Sequence, residues 1–396
     1  MIPRQAGLRI QRLLQGFPVV TVTGPRQSGK TTLVRGLLPQ LPYVNLEASK
    51  HREFAQTNPS EFLLQFPNGA VIDEAQNAPR LFSEIQALVD ERMHSGSAAN
   101  SASAMGLFVL TGSQNLSLMS TVSQSLAGRT AVVELLPLSI AELRAAGELP
   151  ASYAECLVRG FFPAVYSRKL DAAEWLTSYL LTYAERDARQ LTAIQDLNSF
   201  QRFLALVATR TGQLLNLQSL GADAGVSDKT AKSWLNILET CYLIHYLRPH
   251  HANFGKRMVK APKLYMTDVG LACALMGIRT PEQVMHHPLR GALFETMVVN
   301  DMLKTRWNHG LAERMYFWRD HMGTEVDVIV ESAQGLGAVE IKSAPAVASD
   351  AYRSLKAWQK YAEPSTAASS TYSGLVYGGD DRFMRGGVDN MPWHQL

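Results

Sequence analysis

The sequence predicts an α/β protein that opens with a helix-covered parallel sheet and closes with a second α/β domain. A mostly helical stretch stands between them. Three observations support this. Over residues 1–135, short β-branched apolar runs alternate with helix-forming segments, the pattern of a parallel sheet buried on both faces. A glycine-rich turn of the form GxxxxGK[ST] joins the first run to a helix. Beyond residue 281, strand and helix patterns return.

Taken in order, residues 17–23 (FPVVTVT) form a strand and residues 31–38 a helix, with further buried strands at 43–46, 69–72 and 107–110. Residues 95–104 (SGSAANSASA) are low in complexity and predict a loop. Helical segments at 138–146, 153–159 and 172–189 suggest a small lid over residues 136–199. Residues 200–280 are helical and end in strand-like pieces. The last domain, 281–396, has a helix at 293–305, strands at 315–318, 326–330 and 338–341, a loop at 363–373 and a final strand at 375–377.

The bulk numbers agree. A chain of 396 residues exceeds one hydrophobic core and calls for two or three domains. Its 46% hydrophobic and 18% charged residues describe a globular protein, and a net charge of +3 leaves any basic surface local. Cys156, Cys241 and Cys273 are widely spaced, which argues against a disulfide framework or zinc site and fits a reducing cytoplasm. No uninterrupted apolar run of membrane-spanning length occurs, so no membrane partner is expected.

The turn Gly24, Pro25, Arg26, Gln27, Ser28, Gly29, Lys30, Thr31, continued by Thr32, is a P-loop that binds ATP. Gly24 and Gly29 let backbone amides wrap a phosphate at a helix N-terminus. Lys30 would neutralise the β- and γ-phosphates, and the Thr31 hydroxyl would coordinate Mg²⁺. The apolar run ending in Asp73 and Glu74 supplies the rest: Asp73 to the Mg²⁺ shell, Glu74 as general base toward water. Ser113, and second Thr111, end a third strand where they would touch the γ-phosphate or the attacking water, or cap the next helix. Arg129 is a candidate arginine finger acting on a neighbouring subunit's nucleotide, or a surface arginine.

GPRQSGKTT, VIDEAQ, LTGSQN and SLAGRT, followed by LPLSIAEL at 136–143, resemble a prokaryotic AAA+-like ATPase family with an uncharacterised C-terminal domain. Lys263, Tyr265, Asp268 and Gly270 in KAPKLYMTDVGL, with Leu293-Phe294-Glu295, resemble that family's C-terminal half. One departure is Gly160-Phe161-Phe162-Pro163, where the family more often has two glycines. The resemblance implies ATP binding and oligomeric assembly, with no agreed cellular task.

Residues 217–224 and 228–240 form two helices around a Gly225–Ser227 turn, a helix-turn-helix signature within a winged-helix segment, with Ser227 as N-cap. Lys229, Thr230 and Lys232 lie where a recognition helix would meet DNA, and Lys256 and Arg257 would sit on a basic wing. Winged helices also serve as packing or protein-binding modules.

In the last domain, Asp327 followed by Glu340-Ile341-Lys342 is similar to the PD-(D/E)XK, restriction-endonuclease-like fold. Residues two apart on a strand share a face, so Glu340 and Lys342 project together. Asp327 and Glu340 would hold Mg²⁺ with support from Glu295, and Lys342 would position water. The expectation is a cytoplasmic, oligomeric Mg²⁺-dependent ATPase acting on DNA. The alternatives are an ATP-dependent switch or scaffold, and an ATP-licensed nuclease.

Overall fold

A computed structural model describes residues 2–94, 104–113, 125–184, 196–250, 260–333, 335–362 and 372–396. The expected loops at 95–104 and 363–373 fall almost wholly outside these residues. The chain divides into two compact units.

The first unit takes in residues 1–138 with 240–242 and 306–311. Its sheet is entirely parallel, in the order β2-β3-β4-β1-β5. The strands are β1 Val19–Thr23, β2 Tyr43–Asn45, β3 Ala70–Asp73, β4 Phe108–Gly112 and β5 Thr130–Glu134. The strand period of two divides the apolar residues between two cores. Val20, Val22, Val71 and Val109 face one core, with Ile10 of the helix Ala6–Leu14 and Leu33 of the helix Lys30–Leu37. Val19, Ile72, Phe108 and Leu110 face the other, with Phe82 and Ile85 of the helix Arg80–His94. Each such buried side chain contributes about 1.5–3 kcal/mol. β5 has no counterpart in the strands expected from sequence, because its alternating burial leaves Thr130, Val132 and Glu134 only half-buried and weakens the apolar run.

The second unit takes in residues 139–239, 243–305 and 312–396. The helix Ile140–Ala145 opens on a capping box between Ser139 and Glu142. The segment expected as a lid is packed here against later elements. Asp301 accepts the Ile140 N–H at 2.6 Å, and Tyr153 meets the Phe294 ring edge-on at 4.9 Å. Asp268 caps the helix Val269–Leu275 and also accepts the Phe161 N–H at 2.8 Å. Gly160 and Gly270 make that approach feasible, since a Cβ on Gly270 would stand 2.7 Å from the Gly160 backbone. This gives the departure at Gly160-Phe161 a structural setting.

The helix Leu197–Thr209 is followed by β6 Gln213–Leu214, the helices Leu217–Ala224 and Asp228–Thr240, then β7 Ile244–Pro249 and β8 Lys263–Met266, the three strands paired antiparallel. A nine-stranded sheet runs β13-β14-β12-β11-β10-β9-β7-β8-β6. After the helix Arg290–Asn308 come β9 Met315–Arg319, β10 Glu325–Ser332 and β11 Gly335–Lys342 as an antiparallel meander. The helix Arg353–Ala362 then returns the chain to β12 Tyr372–Tyr377, parallel to β11. Trp318, Trp358 and Leu355 pack on one face of this sheet. The closing strands β13 Phe383–Arg385 and β14 Val388–Pro392 lie in a stretch that sequence patterning left unassigned.

Candidate functional site

In the first unit the acidic strand β3 is not adjacent to the P-loop strand β1; β4 lies between them. The carboxyl ends of β1, β4 and β3 therefore deliver three sets of side chains to one crevice, where open parallel sheets bind ligands. Gly24 follows β1 at φ +145°, and a Cβ there would stand 2.2 Å from the Leu135 carbonyl oxygen, so only glycine fits. Gln27 takes φ 60° and Gly29 φ 93°, which wraps the loop onto the helix Lys30–Leu37. The Lys30 ammonium is buried and donates to the carbonyls of Gly24 (2.8 Å) and Pro25 (2.7 Å). Pro25 and Ser28 are buried, whereas Arg26, paired with Glu47 at 3.5 Å, Gln27 and Thr32 face outward to differing degrees. Sequence reasoning missed Arg4, which donates to the Ser28 carbonyl at 2.7 Å and the Leu136 carbonyl at 2.6 Å and so pins the loop from outside.

Asp73 is the hub. It accepts hydrogen bonds from Thr31 (3.0 Å), Tyr43 (2.6 Å) and Thr111. Glu74 stands beside it in the left-handed region, φ 55° and ψ 45°, a sparsely populated conformation for a residue with a side chain. Its carboxylate accepts from Gln76 at 2.5 Å and Ser113 at 3.2 Å. Thr111 thus reaches Asp73, and Ser113 reaches Glu74. Gln114 and Asn115 lie outside the described residues. The Ser28 hydroxyl is buried without a hydrogen-bond partner among the described residues. That orphan group, with the adjoining Thr31 and Asp73 oxygens, fits a Mg²⁺–phosphate ligand.

Arg129 is elsewhere. It precedes Thr130, which pairs with Val19 at the opposite end of the sheet from Gly24. There it makes a two-pronged ion pair with Asp90 at 2.6 and 2.8 Å. Within its own chain it does not reach the P-loop. Another group does lie directly beneath that loop. Tyr242, at φ 57°, places its hydroxyl 3.2 Å from the Thr23 hydroxyl and donates to Glu134 at 3.3 Å. Burial pushes both the Tyr242 hydroxyl and the Glu134 carboxyl up in pKa.

In the second unit, β10 and β11 bring Asp327 and Glu340 side by side. The Ile341 N–H donates to Asp327 at 2.8 Å, and Ser354 donates to Glu340 at 2.7 Å. Lys342 is 2.5 Å from Glu340 and 4.0 Å from Asp327. Glu295 is turned to other partners: Lys263 at 2.9 Å and the Tyr265 hydroxyl at 2.6 Å. Among the described residues no three His, Cys, Asp or Glu side chains converge as a metal-binding group. Lysines engage the three carboxylates expected to hold a metal, Lys263 at Glu295 and Asp327 and Lys342 at Asp327 and Glu340. Burial, then the Glu295 and Glu340 charges, push Asp327 well above the usual carboxylate range, while Lys263 and Lys342 oppose the rise. A cleft of about 530 Å³ opens over Glu340, Lys342, Arg353 and Ser354.

Ser227 caps the helix Asp228–Thr240, accepting the Thr230 N–H at 3.1 Å. Lys229 and Lys232 are exposed near its start, with Thr230 half-buried between them. Lys256 and Arg257 lie outside the described residues.

A β1–P-loop–helix unit with Asp73 and Glu74 at the end of β3 defines a P-loop nucleotide-binding domain of the ATPase class. Comparison with known families agrees: residues 16–144 match an AAA domain. Residues 150–282 and 290–396 each match a domain of unknown function, DUF8612 and DUF4143. The chain is 31% identical over 340 residues to the uncharacterised proteins Rv2008c of Mycobacterium tuberculosis and Mb2031c of Mycobacterium bovis, covering 86% of this chain and 73% of each relative. It belongs to the family of these two proteins. Among solved structures it is similar to the Walker-type ATPase PABY2304 of Pyrococcus abyssi, at 14% identity over 69% of this chain and 96% of that one, TM-score 0.44. A STAND-type signal transduction ATPase with a tetratricopeptide repeat sensor, PH0952 of Pyrococcus horikoshii, matches at 13% identity over 77% and 46%, TM-score 0.25. No helix among the described residues is long and apolar enough to cross a membrane.

Proposed function

We propose that this chain is a Mg²⁺-dependent ATPase whose hydrolysis serves work on DNA. The observation that carries the hydrolytic reading is the pairing at the ends of β3 and β4: Thr111 on Asp73 and Ser113 on Glu74, beside Thr31. Lys30 would leave the carbonyls of Gly24 and Pro25 for the β- and γ-phosphates, and the loop amides would hold the phosphate oxygens. Thr31 and Asp73 would hold Mg²⁺, which would supply positive charge against the charge developing on the phosphates. Glu74, oriented by Ser113 and Gln76, would accept a proton from the attacking water. Ser113 and Thr111 act by holding the two carboxylates in place.

Action on DNA is supported by the capped helix that presents exposed Lys229 and Lys232. The three helices and three antiparallel strands around it have the element order of a winged helix. Assembly into oligomers, with Arg129 reaching a neighbouring subunit's nucleotide, would require release of its Asp90 pair. The test is ATP hydrolysis with and without single-stranded, duplex and branched DNA, comparing wild type with Glu74→Gln. DNA stimulation that disappears in Glu74→Gln supports the reading. Hydrolysis indifferent to every DNA would instead favour a nucleotide-dependent switch or scaffold.

A second reading, an ATP-licensed nuclease, is favoured by the cleft with Glu340 and Lys342 on its floor. The helix–meander–helix–strand order of residues 290–377 accords with a restriction-endonuclease-like fold. DNA cleavage that is lost in Asp327→Ala and also in Lys30→Ala would establish it.

A further inference from the structure

Lys263 stands out in the second unit because it is a buried ammonium among several acids. Its side chain is 4% exposed, and its Nζ lies 2.9 Å from Glu295, 2.5 Å from Glu325 and 3.9 Å from Asp327. The Phe317 ring closes a further side, 5.7 Å away. Tyr265, two residues on and on the same face of β8, donates to Glu295 and holds that carboxylate toward the ammonium. Arg319 bonds the other Glu325 oxygen at 3.4 Å. Burial pulls Lys263 down, but the charges of Glu295, Asp327 and Glu325 outweigh it, and the ammonium is held above the usual lysine range.

The charges nearly balance. Four carboxylates (Glu295, Glu325, Asp327 and Glu340) stand in ion-pair contact with three cations, Lys263, Lys342 and Arg319. Carboxylates gathered out of water need a counter-charge, and either a divalent ion or an ammonium can supply it. We propose that Lys263 is the resident cation of this cluster. It occupies the space between Glu295, Glu325 and Asp327 that a metal ion would otherwise take, so that the site stands assembled without a metal. Of the other two cations, Lys342 is 42% exposed and borders the cleft with Arg353. The finished site therefore does not depend on a bound ion.

Thermal unfolding of the nucleotide-free, full-length chain in EDTA and in Mn²⁺ tests this. Wild type is expected to melt at the same temperature in both. Lys263→Met leaves the carboxylates uncompensated, so it is expected to melt several degrees lower in EDTA and to recover at least half of the loss in Mn²⁺. Lys263→Met/Glu325→Gln restores the wild-type balance of charge and is expected to melt near wild type, indifferent to Mn²⁺. This double variant also carries the test if Lys263→Met does not fold. A wild-type Mn²⁺ shift that vanishes in Asp327→Asn would overturn the proposal by demonstrating a native metal site. Loss of stability in Lys263→Met without Mn²⁺ recovery, or failure of the double variant to fold, would reduce Lys263 to a packing role and equally overturn it.

Discussion

Single residues carry the nucleotide chemistry, and their contacts assign different losses to each. Glu74 touches Ser113 and Gln76 and takes no part in holding the loop. Glu74→Gln is expected to lower kcat by about 10²–10⁴-fold while nucleotide affinity, measured by equilibrium binding, stays near wild type. Lys30→Ala is expected to lose binding itself, since no other buried cation lies within the described loop. Gly24→Ala is a backbone defect: at φ +145°, with Leu135 in the way, the added methyl forces the loop and β5 apart. Lower melting temperature and lost nucleotide binding together would identify it. Arg129→Ala is expected to cost stability through Asp90 before it affects the chemistry of its own P-loop.

Elements decide what those residues rest on. Tyr242 follows the helix Asp228–Thr240 by two residues and supports the last residue of β1 from below. Tyr242→Phe keeps the ring and deletes the hydroxyl bonds to Thr23 and Glu134. A loss of about 0.5–1.5 kcal/mol is expected in unfolding experiments, with weaker nucleotide binding, because Thr23 leads directly into Gly24. On β7, His245 stacks on Tyr265 and bonds Asn300 at 2.7 Å. Removal from water pushes its pKa down to about 4, against the usual 6.5. A depressed pKa means that this contribution is present above about pH 6.5 and is lost as pH falls toward about 4. His245→Gln is expected to flatten that acid limb of the stability curve by on the order of 1–3 kcal/mol.

For the whole molecule the question is whether the proposed ATP turnover and the proposed DNA contact belong to one activity. Lys229→Glu with Lys232→Glu is expected to weaken DNA binding and reduce its salt dependence by about 1–2 phosphate contacts. Basal ATP hydrolysis should be unchanged, since neither lysine belongs to the P-loop or to the acidic end of β3. Unaltered DNA affinity at low salt in this double variant would remove the helix from the DNA interface. If DNA stimulates ATP hydrolysis in wild type, the same variant should abolish the stimulation; if it does not, the two activities are separate.

The nucleotide site was legible in residue order because its parts are local. A P-loop is one turn, and a strand ending in two acids is one strand, so spacing alone states the chemistry. Ser113 and Thr111 could be nominated from the end of a strand, but which acid each would serve depended on β4 lying between β1 and β3. The strands of the last domain could be read where apolar residues dominate, as at 315–318 and 326–330, whereas β5, with three of its five residues only partly buried, could not. The remaining features depended on groups distant in sequence. Arg4 pins a loop 24 residues away, and Tyr242 reaches Thr23 from 219 residues along the chain. Lys263 neutralises carboxylates 32 to 64 residues further on. A lysine in a KxY stretch has no period or spacing that points to an acidic cluster. Its counter-ion role arises because the fold removes those carboxylates from water, and the electrostatic cost of doing so must be met by whichever cation the chain brings within reach.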